Sequence, residues 1–302
     1  MNHDVVVTVA TYKRPGLLQE LLDSLEEEYS RTPFSVIVID NDANGSGKAI
    51  ADAASVPLVY AIEPKPGIAA ARNAALDRVP SSATHIVFVD DDEVVSSGWL
   101  GHLLRVETQL NADIVCGPVD SLFPAGSPAW IERGGYIQRP DEEEGITARM
   151  PATNNTLVRT EFLRSAGDPR FDEAFSRTGG SDTAFFTPLL KQGARVAWSP
   201  SARVSERVPA DRLTFRWVMR RYIRLDNVSG RLLLSTTSRP VLAAKGIGNI
   251  AYGVLRTAAA LLVGKGLRLK DTCHITRGLG WLGAVSDRLV QEYSRPASST
   301  TP

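Results

Sequence analysis

The sequence predicts an α/β fold in which helices flank a mixed, mostly parallel sheet, with a helical extension at the C-terminus. Two observations carry this expectation. Apolar runs of strand length alternate with helical patterns through the N-terminal half, and such alternation builds parallel sheets covered on both faces. Three of the runs end in polar clusters, Thr11-Tyr12, Asp40-Asn41-Asp42 and Asp90-Asp91-Asp92. Open α/β sheets bind ligands at the carboxyl ends of their strands.

Taken in order, "VVVTVAT" (5–11) reads as a buried strand, and Pro15 then opens a helix. Leu17, Leu18, Leu21, Leu22 and Leu25 form its apolar stripe. "FSVIVID" (34–40) is a second strand, stopped by the loop-forming "NDANGSG". "LVYAIE" (58–63) is a third, and "PGIAAARNAALDRV" gives a helix that starts beside Gly67. "HIVFVD" (85–90) follows as a strand. Beyond Asp113 the pattern loosens: "DIVCGPVDSLF" (113–123), "TNNTLV" (153–158) and "RVAWSP" (195–200) read as strands, with a helix beginning near Ser181. The expected domains are 1–211, divided into halves at 1–112 and 113–211, then a basic amphipathic helical extension over 212–295 and a disordered tail over 296–302.

Composition is that of a globular chain with ample core material, 302 residues of which 43% are hydrophobic and 23% charged. Cys116 and Cys273 form no C-x-x-C pair and the four histidines show no ligand spacing, which argues against zinc. Two cysteines, and an N-terminus that runs directly into a strand pattern, lead us to expect a cytoplasmic location. The net charge of zero hides an asymmetry: residues 212–302 hold 15 Lys/Arg against 4 Asp/Glu. That polarity suits an anionic partner, a membrane surface or a phosphate-bearing substrate.

"FVDDDE" poses the chemical problem, because three adjacent carboxylates repel one another. A divalent cation relieves such crowding, and hard oxygen ligands suit Mg²⁺ or Mn²⁺, with substrate phosphates completing the shell. A solvated acidic turn is the plain alternative, and the location at a strand end favours the metal. Arg72, in "GIAAARN", supplies a guanidinium able to fork onto a diphosphate. Tyr12 suits stacking on a base, and Asp40 suits a nucleobase N–H.

These segments, "VATYKRP", "VIVIDNDA", "GIAAARNAAL", "FVDDDE", "SGWL" and "TGGSDTAFF", occur in an order that resembles family 2 inverting glycosyltransferases of the nucleotide-diphospho-sugar (GT-A) fold. The likeness spans residues 5 to about 225, and it looks closest to the bacterial exopolysaccharide branch, particularly succinoglycan-type β-glucosyltransferases. The resemblance implies that Ala10, Thr11, Tyr12 and Asp40 surround the base and that Arg14 also contacts the nucleotide sugar. It implies Arg72 and Asp91 near ribose or diphosphate, Asp90 and Asp92 as the metal-binding D-x-D pair, and Asp182 as catalytic base. One departure stands out: Ser181 occupies the position of the family's usual glutamate.

Further implications of the resemblance concern the acceptor. Trp130, Asn154 and Asn155 sit where the family builds that site, although an aromatic such as Trp130 suits a core equally. The implied partners are a nucleotide-diphosphate sugar, UDP-glucose favoured, and a glycan or lipid-linked oligosaccharide acceptor, with no nucleic acid. In the basic extension, Ile247, Ile250, Ala251, Val254, Leu255, Ala258, Leu261 and Leu262 fall on one helical stripe, while Arg256 interrupts the run. A helix lying on the inner membrane surface and held by Lys265, Arg268 and Lys270 is one expectation. A helix packed on the catalytic domain is the other. Alternatives to glucose transfer are another donor sugar (galactose, N-acetylglucosamine or rhamnose), a nucleotidyltransferase, or a non-catalytic sugar-nucleotide-binding protein.

Overall fold

Strand β1 (Val5–Thr11) is the pivot of the sheet, pairing in parallel with β2 (Ser35–Asp40) on one side and β4 (His85–Asp90) on the other. The computed structural model describes residues 4–138, 140–176 and 179–288. β2 in turn pairs with β3 (Leu58–Ile62). The chain therefore winds outward from β1 to β3 and then crosses back to β4, placing a topological switch point between β1 and β4. The sequence expectations for these four strands hold to within one residue.

Past β4 the sheet turns mixed. β9 (Thr156–Arg159) runs antiparallel between β4 and β6 (Ile114–Cys116), followed by β10 (Val196–Trp198) and the short β8 (Gly145–Ile146). The run 113–123 is two strands, not one: Gly117-Pro118 separates β6 from β7 (Val119–Leu122). β7 joins β11 (Val204–Arg207) and β5 (Glu93–Val95) in a second, three-stranded sheet.

Side-chain alternation decides which helix covers which face. Val5, Val7 and Val9 point into a core shared with Leu18, Leu21, Leu22 and Leu25 of α1 (Pro15–Tyr29) and with Trp99, Leu100 and Leu103 of α4 (Trp99–Leu110). Val6 points the other way, against Ala71, Ala74 and Ala75 of α3 (Ile68–Leu76). Small side chains let α3 lie close to the sheet, and Arg72 emerges beside the ends of β1 and β4. A third cluster stacks Phe171 on Phe185 at 4.1 Å between ring centres, against Phe88 and α7 (Ser181–Lys191). The buried Glu28 carboxylate accepts the amides of Gly98 and Leu100 at 2.7 and 3.1 Å, tying α1 to the start of α4. Two short helices complete the connections, α2 (Lys48–Ala53) and α6 (Thr160–Ser165).

Everything named so far belongs to one compact unit, Met1–Leu122, Gln138–Ser176 and Ser181–Val208. A second unit takes Phe123–Ile137, Arg177–Gly180 and Pro209–Pro302. It contains α5 (Ala129–Glu132), α8 (Phe215–Leu233), α9 (Arg239–Leu262) and α10 (Leu269–Val285). α10 packs on both α8 and α9. Tyr136 anchors it internally, its hydroxyl 2.9 Å from that of Thr272. The tail expected at 296–302 lies outside the described residues.

Candidate active site

Register along β1 sets the site. Thr11 lies opposite Asp40, and Ala10 lies opposite Asp90, so the three polar strand ends converge at one edge of the sheet. Gly67, at φ 133°, admits the backbone turn into α3, and a Cβ there would meet the Ser176 side chain at 2.5 Å. Asn41 fixes the same turn. Its amide donates to the Glu63 and Lys65 carbonyls at 2.7 Å each, and its oxygen accepts the Gly67 amide at 2.9 Å.

Two guanidiniums meet the acidic cluster. Arg72 donates from Nη1 to Asp182 Oδ1 at 2.7 Å and from Nη2 to Asp90 Oδ1 at 3.3 Å, joining the ends of β4 and α7. Arg14 donates to Asp91 Oδ1 and to Asp92 Oδ2, both at 3.2 Å. Asp91 takes a further bond from the Thr11 hydroxyl at 2.8 Å, so both its oxygens are engaged. Burial raises the Asp90 carboxyl, with Arg72 opposing and Asp92, Asp182 and Asp91 adding repulsion. Behind the cluster, burial and then Asp90 push Glu93 well above the usual carboxylate range, and its Oε2 accepts the Asp90 amide at 3.0 Å.

Asp182 opens α7. Its Oδ1 takes Arg72 and the Ser181 hydroxyl, the latter at 3.2 Å, while among the described residues Oδ2 accepts only the Thr153 amide, also at 3.2 Å. Ser181, in place of the expected glutamate, is buried and packs its hydroxyl into the Arg72–Asp182 pair. The floor between these groups is lined by Thr8, Ala10, Phe88 and Thr153.

The residues present suit a divalent cation in part. Asp90 and Asp92 keep 41% and 20% of their side-chain surface accessible, and each commits one oxygen to an arginine. Their second oxygens have no partner among the described residues. Two carboxylates are too few for a cage, and among the described residues no three His, Cys, Asp or Glu side chains converge on one point. Such a pair fits Mg²⁺ or Mn²⁺ only when a ligand brings the remaining oxygens.

Three expected site residues are placed differently. Asp40 is fully buried and staples its own loop. Its Oδ1 accepts the Asp42 amide at 2.9 Å, and its Oδ2 accepts the Gly47 amide at 2.7 Å and the Tyr60 hydroxyl at 2.8 Å. Asn155, also fully buried, accepts the Trp99 indole N–H at 2.7 Å and donates to the Pro118 and Ala202 carbonyls at 2.9 and 2.7 Å. Its left-handed backbone, φ 55°, is one that asparagine tolerates better than most residues. Trp130 belongs to the second unit, edge-on to Tyr136 at 5.4 Å and tilted over Phe215 at 5.9 Å. Asn154 lies half-buried beside Thr153, and the half-buried Tyr12 carries the Lys13 ammonium 5.3 Å from its ring centre.

Asn155 therefore makes a stability prediction. Asn155→Ala leaves the Trp99 indole N–H and the Ala202 carbonyl without partners in the core, while the Pro118 carbonyl keeps the Val204 amide, and should cost about 3 kcal/mol. The check is the urea unfolding midpoint; a loss below about 0.5 kcal/mol contradicts the structural role. Sequence reasoning placed Asn41 in a polar strand-end cluster without giving it a role, and gave none to Glu93 or the Thr153 amide. "DNDANGSG" carried a signal for Asn41 as a turn residue; nothing local marked the other two.

Comparison with known proteins gives the family. The Glycosyl transferase family 2 profile matches residues 6–166. The chain belongs to that family and is a glycosyltransferase. Succinoglycan biosynthesis protein ExoM of Rhizobium meliloti (strain 1021) is 34% identical over 232 residues, covering 75% of this chain and 74% of the relative. ExoW of the same strain is 23% identical, covering 63% and 64%. Among solved structures, residues 1–349 of S. aureus TarS superpose with a TM-score of 0.56 at 18% identity, covering 94% of this chain and 90% of that one. The same protein in complex with UDP-GlcNAc gives 0.55 at 16% identity, covering 94% and 91%. The fold is thus GT-A, with C-terminal helices.

Proposed function

We propose that the chain is an inverting, non-processive transferase that moves a sugar, glucose by preference, from a nucleotide-diphosphate donor to a glycan or polyprenyl-diphosphate-linked acceptor in exopolysaccharide synthesis. Residues 1–211 form the catalytic domain in this reading, and 212–295 its helical extension. The printed roles of ExoM and ExoW in succinoglycan biosynthesis support the pathway class. The observation that carries the chemistry is Arg72, whose one guanidinium touches both Asp90 and Asp182.

Asp182 takes the proton of the acceptor hydroxyl as that oxygen attacks the anomeric carbon. Its Oδ2, held by one amide among the described residues, is the oxygen that receives it. Arg72 lies where the leaving diphosphate gains charge, and it compensates that charge as the sugar–phosphate bond breaks. A single displacement converts an α-linked donor into a β-glycoside. Asp90 and Asp92 would hold Mn²⁺ or Mg²⁺, and such an ion, when bound, would supply Lewis-acid stabilisation of negative charge on a diphosphate. Arg14 organises Asp91 and Asp92 and contacts the nucleotide side.

Calorimetric titration of UDP-glucose, set beside UDP-galactose, UDP-GlcNAc and dTDP-rhamnose, tests the reading. With Mn²⁺ present UDP-glucose should bind tightest, and chelation or Asp92→Asn should weaken it at least about tenfold, worth about 1.4 kcal/mol. Equal binding with and without chelator would remove the metal from the proposal. Tighter binding of another sugar would replace glucose.

A further inference from the structure

Helix α9 presents an apolar face that no other described residue covers. Ile247, Val254, Leu255, Leu261 and Leu262 stand 50–88% exposed along it. The opposite face carries the packing: Leu242, Gly246, Gly253 and Ala260 are buried. α10 comes so close there that a Cβ on Gly253 would lie 2.7 Å from the Ile275 amide nitrogen. The stripe legible in the sequence is thus turned outward, where a helix packing it on a core would turn it inward. A continuous exposed patch of this kind marks an interaction surface.

Charge around the patch selects the partner. Between Arg239 and Lys270 the chain has six Lys/Arg and no Asp or Glu. Three of the six are engaged inside the unit, Arg239 with Asp287 at 2.8 Å and both Arg256 and Arg268 with Asp271, at 2.9 and 2.6 Å. Lys245, Lys265 and Lys270 are exposed, the latter two just beyond the C-terminal end of the stripe. No described helix is long and apolar enough to cross a membrane. We infer that α9 lies in the plane of an anionic lipid surface, its leucines among the acyl chains and its lysines at the headgroups. A neutral protein partner would not need the absence of every acidic residue over this span; an anionic surface does. The inference concerns α9 alone and is independent of the sugar-transfer reading.

Co-sedimentation of the full chain with vesicles tests it. Binding should appear with phosphatidylglycerol-containing vesicles, be absent with phosphatidylcholine alone, and fall as salt rises. Leu255→Glu combined with Leu262→Glu should weaken association at least about tenfold. Lys265→Glu with Lys270→Glu should do the same on anionic vesicles. All four positions are exposed or beyond the packed face, so circular dichroism should match the parent. No association with anionic vesicles, or association untouched by the leucine pair, overturns the proposal. So does light scattering in which the leucine pair turns an oligomer into a monomer without vesicle binding, because a second copy is then the occupant.

Discussion

Asp182→Asn is expected to lower kcat by about a thousandfold while leaving donor affinity within several-fold. Asparagine keeps the shape and keeps an oxygen for the Arg72 guanidinium, which now sits 2.7 Å from Oδ1. What disappears is the capacity to take a proton from an attacking hydroxyl. If the amide nitrogen takes the Oδ2 position, it faces the Thr153 amide, at 3.2 Å in the native protein. Two donors would then oppose each other, so the variant gives up the Thr153 contact while its oxygen stays on Arg72 and Ser181. The expected split is therefore a large fall in kcat and a small change in the dissociation constant of the donor. Rates within about tenfold of the parent would leave Asp182 as a helix-start residue that merely anchors Arg72, and the base would have to be sought elsewhere.

The four N-terminal strands and the acidic edge were legible because buried parallel strands are long apolar runs and their ends must turn polar at the sheet margin. Strand direction was not legible beyond Asp113. "TNNTLV" has the same pattern whether β9 runs with β4 or against it, and the answer depends on which neighbour it meets. The fates of Asp40 and Asn155 were hidden for a related reason. A polar side chain in a site and one stapling a buried loop look alike in sequence; only the partners distinguish them, and Trp99, Pro118 and Ala202 lie far from Asn155 along the chain. For α9 the periodicity was legible and the facing was left open between a membrane surface and the catalytic domain; the glycines at 246 and 253 hold α10 close on the opposite side and leave the stripe exposed. The question raised by three adjacent aspartates also gains a fuller answer. Arg14 and Arg72 supply countercharge from the chain itself, so the crowding is relieved in part without an ion.

Arg72→Ala is expected to move two binding equilibria in opposite directions. Arg72 now holds Asp90 Oδ1 at 3.3 Å, a position a divalent cation would contest. Without the guanidinium, Asp90 and Asp182 lose their countercharge while Asp92 keeps Arg14, and Mn²⁺ alone should bind several-fold more tightly. The donor should bind at least about tenfold more weakly, and kcat/KM should fall about a thousandfold, the scale seen when one preorganised donor to a developing charge is removed. Arg72→Lys should recover little of this, because an ammonium cannot bridge two carboxylates on different elements with a planar fork. Manganese and UDP-sugar titrations on the same variant read both directions at once. A variant that merely lost packing against Phe171, 5.6 Å below the guanidinium, would weaken both ligands and lower the melting midpoint together. Weakened manganese binding with weakened donor binding would therefore show that Arg72 supports the fold, and would leave the diphosphate without its proposed countercharge.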